Sequence, residues 1–251
     1  MRALVVCKHS KNSEEARACR FVANNGFEVK YSWKNVLLPK DLEGFDIVIS
    51  IGGDGTALSA SHFLTKRPLL AINSNPRQSE GALTTLNLED LDKKLREIKS
   101  GKFKTEKLER IEVMINDKLQ NPLALNDVFI ANEKAYSMSK YKIRFNGSLE
   151  EQKSSGLIFS TGTGSTAWFK SAGGEPFSAQ SRVIKMIVRE PFLRRISKFK
   201  TIRAEIGEKD SCEVIALTPM VLAIDSIREI KLNEGDRVKI KISDKFLERI
   251  I

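Results

Sequence analysis

The spacing of apolar and polar positions changes near residue 100. Before it, short apolar runs alternate with segments of helical period. Runs at 4–7, 28–33, 47–51 and 69–72 read as strands, and 57–66 has helical character. Ser13-Glu14-Glu15-Ala16 opens a helical run closed by Asn24-Asn25-Gly26. Asn87 caps another over 88–99, which Gly101 stops. This βαβα rhythm predicts an α/β N-terminal domain over residues 1–100, with an open, mostly parallel sheet covered by helices. Past residue 100 the period falls to two. Residues 110–115, 140–145 and 238–242 alternate, with turn signals at Asn116-Asp117, Asn146-Gly147 and Glu234-Gly235-Asp236. Half-buried antiparallel strands give that pattern, so 101–243 reads as a β-rich C-terminal domain and 244–251 as a C-terminal tail. No internal repeat or low-complexity linker interrupts the chain.

Composition narrows the picture. A chain of 251 residues buries a core without disulfides. Cys7, Cys19 and Cys212 are odd in number and fit neither a metal-ligand pattern nor a disulfide framework, which points to a reducing compartment. No stretch is long and apolar enough to span a membrane, and Met1 to Val6 reads directly as a strand rather than a leader, so the expectation is a cytoplasmic protein with no membrane partner. The formal net charge of +10 suits a polyanionic ligand. Basic residues are mostly interleaved with acidic ones, as over 91–97. The one dense cluster, Arg194-Arg195-Ile196-Ser197-Lys198-Phe199-Lys200, belongs to no nucleic-acid module, so nucleic acid is not an expected partner.

Three stretches carry candidate chemistry. Gly52-Gly53-Asp54-Gly55-Thr56 follows an apolar run and precedes a helical one. Glycines let backbone close on a phosphate, and a helix start suits an anion. A carboxylate there repels phosphate unless it helps hold Mg²⁺ or takes a proton from an attacking hydroxyl. The bland alternative is a βα turn with Asp54 as helix cap. In 154–168 a strand runs into Ser160-Thr161-Gly162-Thr163-Gly164-Ser165-Thr166 and then a helix over 165–172. Its hydroxyls and amides suit ribose and phosphate oxygens, and Trp168 offers a stacking face. The alternative is a Ser/Thr-rich turn with a core tryptophan. The match of 162–167 to the dinucleotide fingerprint is weak, because it lies in the β-rich half, and no Gly-Lys-Ser/Thr phosphate loop exists. Lastly, Asn126-Asp127 interrupts the apolar run 123–130; a ligand's hydroxyls or an ordinary bulge would account for it. His9 and His62 are the only histidines, and His62 reads as packing or surface.

Together these motifs resemble the NAD kinase family. The match runs in order through Gly52-Gly53-Asp54-Gly55-Thr56, Leu125-Asn126-Asp127, Ser160 to Trp168, Val221-Leu222-Ala223-Ile224-Asp225 and Gly235-Asp236. The resemblance implies transfer of a terminal phosphate from ATP or polyphosphate to the 2′-hydroxyl of the adenosine ribose of NAD. It implies a cleft between an α/β and a β-rich domain, a homodimer or homotetramer, and Mg²⁺ or another divalent cation bound mainly through the phosphates, with no protein metal site. Asp54 then stands as general base. Gly52, Gly53, Gly55 and Thr56 form the phosphate turn. NAD contacts fall on Asn126, Asp127, Ser155, Thr161, Thr163, Gly164, Ser165, Thr166, Ala167, Trp168 and Ser171.

The chain departs from the family pattern in places. Asp127 replaces a glutamate, Gly162 a proline, Ser155 an aspartate and Trp168 a tyrosine. Asn73 to Gly81 stands where Gly-x-Leu-Gly-Phe is usual, and 188–192 where Pro-His-Ser is usual. Ser155-Gly156, Ser79-Glu80-Gly81 and Arg189-Glu190-Pro191 resemble the divergent mitochondrial-type branch. The rival readings are a lipid or other small-molecule kinase with the same glycine turn, and a non-catalytic nucleotide-binding regulator.

Overall fold

The computed structural model describes residues 1–8, 13–77, 81–84, 86–193 and 199–251. His9, Ser79, Glu80 and the basic residues Arg194, Arg195 and Lys198 lie outside the described residues. The chain forms two units, Met1–Leu108 with Phe246–Ile251, and Glu109–Lys245.

In the first unit β1 (Arg2–Cys7), β2 (Glu28–Trp33), β3 (Ile47–Gly52) and β4 (Leu69–Asn73) run parallel in the order β2-β1-β3-β4. The short β5 (Leu86–Asn87) pairs with the end of β4. β1, β3 and β4 are buried at nearly every position, which is why their sequences are continuous apolar runs. Helices α1 (Ser13–Asn24) and α3 (Leu91–Lys99) lay Ala18, Cys19, Val22, Leu91, Leu95 and Ile98 on Val5, Ile49 and Ile72. Gly26 and Gly101, just beyond the two helices, take φ of +76° and +69°, a conformation other residues resist.

Two expectations are corrected here. The helix after β3, α2 (Asp54–Ser61), begins and ends earlier than 57–66. Residues 244–251 are not a tail: β19 (Leu247–Ile250) joins the first sheet, parallel to β4 and antiparallel to β6 (Thr105–Leu108). Its buried Leu247 and Ile250 supply the reason, since both lose their apolar surface to the sheet. β1 and α1 also bring the free thiols of Cys7 and Cys19 to 2.7 Å.

The second unit is antiparallel. One sheet runs β11-β10-β15-β18-β7-β8, where β7 is Ile111–Ile115, β8 Lys118–Leu119, β10 Ser139–Phe145, β11 Ser148–Ser154, β15 Cys212–Ala216 and β18 Arg237–Ile242. The other runs β14-β13-β12-β9-β16-β17, with β9 Asp127–Ala131, β12 Gly156–Ser160, β13 Ile184–Arg189, β14 Arg203–Ile206, β16 Met220–Ile224 and β17 Arg228–Leu232. Val113, Tyr141, Val214 and Ile240 from the first share one core with Val128, Leu157, Phe159 and Leu222 from the second. The predicted turns hold: Asn116 (φ +49°) and Asp117 (+62°), like Asn146 (+46°) and Gly147 (+74°), have the positive φ pair of a tight hairpin. No helix among the described residues is long and apolar enough to cross a membrane.

Candidate active site

In the first unit Gly52 ends β3, Gly53 occupies the cap position of α2, and Asp54 opens its first turn. Asp54 therefore does not cap its own helix. Its carboxylate instead grips the segment Gly81 to Thr84. Oδ1 accepts hydrogen bonds from Leu83 N–H (2.9 Å), Thr84 N–H (3.0 Å) and Thr84 Oγ1 (3.0 Å); among the described residues Oδ2 accepts only Ala82 N–H (3.0 Å). Each carboxylate oxygen offers about two lone-pair sites. Oδ1 is thus filled, and Oδ2 keeps room for a further hydroxyl.

The turn's glycines differ in their reasons. A Cβ at Gly52 would come within 2.4 Å of Thr56 Oγ1, so that close approach requires glycine. The buried Thr56 hydroxyl has no hydrogen-bond partner among the described residues. Gly55 is exposed, and a Cβ there would meet nothing within 4 Å, so no neighbouring protein atom demands its glycine. His62 is buried at the end of α2, a packing position.

In the second unit the Asn126-Asp127 pair is built by Asp225. Its carboxylate accepts from Leu125 N–H (2.8 Å), Asn126 N–H (2.7 Å) and Asp127 N–H (3.0 Å), and its own N–H donates to Asp127 O (2.9 Å). Arg110 is buried near that negative charge; burial pushes its guanidinium down to about 10 against the pull of Asp225. Asp127 is pushed up to about 7, first by burial and then by the charge of Asp225.

The glycine-rich segment after β12 folds back onto this pair. Thr161 N–H donates to Asn126 O (2.9 Å), and its hydroxyl donates to Leu125 O (2.6 Å). A Cβ at Gly164 would lie 2.2 Å from Asn126 O, so the two strands' ends touch through bare backbone. Ser165, fully buried, bonds Gly162 O and the Phe177 backbone; Thr161 and Ser165 thus hold the loop in shape. Three side-chain oxygens here are buried with no partner among the described residues: Asn126 Oδ1, Asp127 Oδ1 and Thr163 Oγ1. Buried polar atoms are rarely left so.

The predicted helix over 165–172 is replaced by a 3-10 turn at Gly164–Thr166 and one α turn, α4 (Trp168–Ser171). Ala167 separates them with ψ of −120°, which no helix continues through. Thr166, Ala167 and Ser171 are exposed, and Trp168 is half-buried. The Trp168 ring lies 4.4 Å from that of Phe129, with the Arg189 guanidinium 5.5 Å from it. Ser155 stands apart, at the opposite end of β12 from Thr161, about 20 Å away at strand spacing. Its hydroxyl donates a hydrogen bond to the carboxylate of Glu190, which brings a negative charge beside Ser155.

Residues 3–103 match the ATP-NAD kinase N-terminal domain, and 125–250 the ATP-NAD kinase C-terminal domain. The chain belongs to the NAD kinase family. An NAD kinase of Clostridium botulinum is 30% identical over 225 residues, covering 84% of this chain and 75% of that protein. A probable NADH kinase of rice is 33% identical over 172 residues, 60% of this chain and 53% of the rice protein, so the match spans about half that relative's length. Among solved structures, an NAD kinase from Archaeoglobus fulgidus in complex with ATP superposes with a TM-score of 0.81 at 26% identity, over 99% of this chain and 93% of its own. Yeast NADH kinase complexed with NADH shares the fold, with a TM-score of 0.81 at 17% identity over 100% and 83%.

Within the NAD kinase pattern, Gly162 is not a neutral departure. A Cβ there would lie 1.9 Å from Ser178 O. Gly162→Ala is therefore expected to lose about 1–3 kcal/mol of stability, the usual cost of overpacking. Thermal unfolding checks this, and an unchanged midpoint would show that the Ser178 segment yields freely.

Sequence reading missed two parts of these sites. The Asp54-binding loop carries no motif beyond Gly81. Asp225 was visible only as the end of a family-matching segment, with no role given to it, because its partners lie about 100 positions earlier.

Proposed function

We propose that this protein is an NAD kinase that transfers the terminal phosphate of ATP to the 2′-hydroxyl of the adenosine ribose of NAD, giving NADP. Membership of the family across both domains supports the reaction. The observation that carries the residue roles is the engagement of Asp54: three donors fill Oδ1, while Oδ2 takes one donor among the described residues and so can accept a substrate hydroxyl. Asp54 acts as general base, removing the proton as the oxygen attacks. Gly52, Gly53, Gly55 and Thr56 receive the donor phosphates at the start of α2.

The unpartnered oxygens of Asn126, Asp127 and Thr163 bond NAD, with Thr166, Ala167 and Ser171 as exposed contacts beside them. Thr161, Gly164 and Ser165 shape the loop that presents these groups, and Ser155 with Glu190 contacts the dinucleotide further along β12. A divalent cation, Mg²⁺ above all, offsets the repulsion between carboxylate and phosphates when bound. We take that cation to be held chiefly by the donor phosphates. By the same reading the enzyme is a cytoplasmic homodimer or homotetramer; its three free cysteines suit a reducing compartment, and light scattering would give the assembly.

The test is NADP formation from NAD with ATP, then polyphosphate, as donor. No NADP with either, but phosphorylation of a diacylglycerol, would return the lipid-kinase reading; ligand binding with no turnover would return the regulator. Trp168→Ala is expected to raise the apparent constant for NAD about tenfold, since a lost aromatic–base stack costs about 1–3 kcal/mol. The constant for ATP should move little. Equal weakening of both would make Trp168 a packing residue on Phe129.

A further inference from the structure

Arg249 lies in β19, directly opposite Glu106 of β6 and beside Leu69 of β4. It is only 7% exposed. Its Nε and Nη2 donate to Glu106 Oε1 at 2.7 and 2.5 Å. Its Nη1 donates to two backbone carbonyls, Ala82 O and Leu83 O, both at 3.0 Å. These are the carbonyls of the peptide units whose N–H groups, on Leu83 and Thr84, donate to Asp54 Oδ1.

A peptide unit is planar and polar, with its N–H and C=O pointing opposite ways. A cation on the carbonyl side polarises the N–H side, and hydrogen bonds in such a chain strengthen one another. Two parallel relays therefore run from one guanidinium, through two adjacent peptides, to a single carboxylate oxygen. Only a planar fork fits this arrangement, with Glu106 on one side and both carbonyls on the other.

We propose that Arg249 is a positioning residue for the phosphoryl-transfer reaction: anchored by Glu106, it fixes the Ala82–Thr84 backbone and thereby holds Asp54 Oδ1, leaving Oδ2 aimed at the acceptor hydroxyl. This rests on the reading of Asp54 as general base. Arg249 touches neither the carboxylate nor any reacting atom, so its effect falls on turnover. Misplacement of a reacting group by about 1 Å costs up to 10²-fold.

The experiment uses the full chain with two variants. Arg249→Lys keeps the charge but cannot serve both carbonyls and Glu106 in one plane. Arg249→Met combined with Glu106→Gln removes both charges of the ion pair together, which keeps the protein foldable. For each, kcat and the KM values for NAD and ATP are measured, alone and with Asp54→Asn. The expected result is a kcat reduced roughly ten- to a hundredfold, KM values within about threefold of wild type, and little further loss on adding either variant to Asp54→Asn. A folded variant with wild-type kcat, a loss confined to KM, or a full multiplicative loss on top of Asp54→Asn would overturn the proposal while leaving Asp54 as base. Near-normal turnover by Asp54→Asn alone would instead remove the base itself, and the proposal with it.

Discussion

Asp54→Asn is expected to fold, to bind NAD within a few-fold of wild type, and to lose about 10²–10⁴-fold in NADP formation, the usual contribution of a positioned general base. A ribose hydroxyl is a poor nucleophile near neutral pH, so proton removal in the transition state is where the carboxylate acts. The geometry explains why asparagine isolates that role. Its amide oxygen can stay in the Oδ1 position and keep the bonds from Leu83 N–H, Thr84 N–H and Thr84 Oγ1. Its amide nitrogen then faces Ala82 N–H, so one bond at Oδ2 is lost, at about 1 kcal/mol. The Gly81 to Thr84 segment remains anchored, while the oxygen open to substrate becomes a group that cannot accept a proton. Steady-state NADP formation and calorimetric NAD binding measure the two halves of this expectation. A variant with near-normal turnover would leave Asp54 as the anchor of its loop and nothing more.

Much of this architecture was legible because it is local. The apolar runs of β1, β3 and β4, the period of α3 through Leu91, Leu95 and Ile98, and the Asn-Gly turn at 146–147 each lie within a dozen residues. The glycine turn around Asp54 was legible for the same reason: helix start, bare backbone and carboxylate occupy five consecutive positions. What stayed hidden depends on long separations. Arg249 meets Ala82 from 167 positions away, and its strand is only four residues long, too short for periodicity to separate it from a tail. Asp225 sits near Asn126 only because β16 pairs with β9. The break at Ala167 was illegible for another reason. Thr166-Ala167-Trp168-Phe169 contains no helix breaker; the chain turns because Phe129, Ile158 and Ile187 take Trp168 and Phe169 onto the sheet. Tertiary packing there overrides propensity.

Asp127→Asn is expected to stabilise the ligand-free protein, and to do so more at pH 8 than at pH 5. Asp127 is 5% exposed, its Oδ1 has no partner among the described residues, and the carboxylate of Asp225 lies close enough to raise its proton affinity further. In the folded chain it therefore holds its proton up to about pH 7, whereas in the unfolded chain it releases it near 3.8. Between those values the folded state binds more protons, so stability is greatest below the lower one and falls as pH rises through the window. Three units at 1.36 kcal/mol each set the loss at about 4 kcal/mol once both states are ionised. Asparagine carries no such charge and removes that loss. For a chain of this size 1 kcal/mol moves the midpoint by about 2–4 °C, so the variant's advantage should widen by several degrees between pH 5 and pH 8. Thermal unfolding of both proteins at the two pH values reads this directly, and the difference between them cancels every titrating group that does not interact with Asp127. A constant gap would mean that Asp127 is ionised at both pH values, with a counter-charge or solvent path offsetting its burial. If the gap widens while NAD binding weakens, the same carboxyl group lowers stability in the empty protein because it is kept for a ligand.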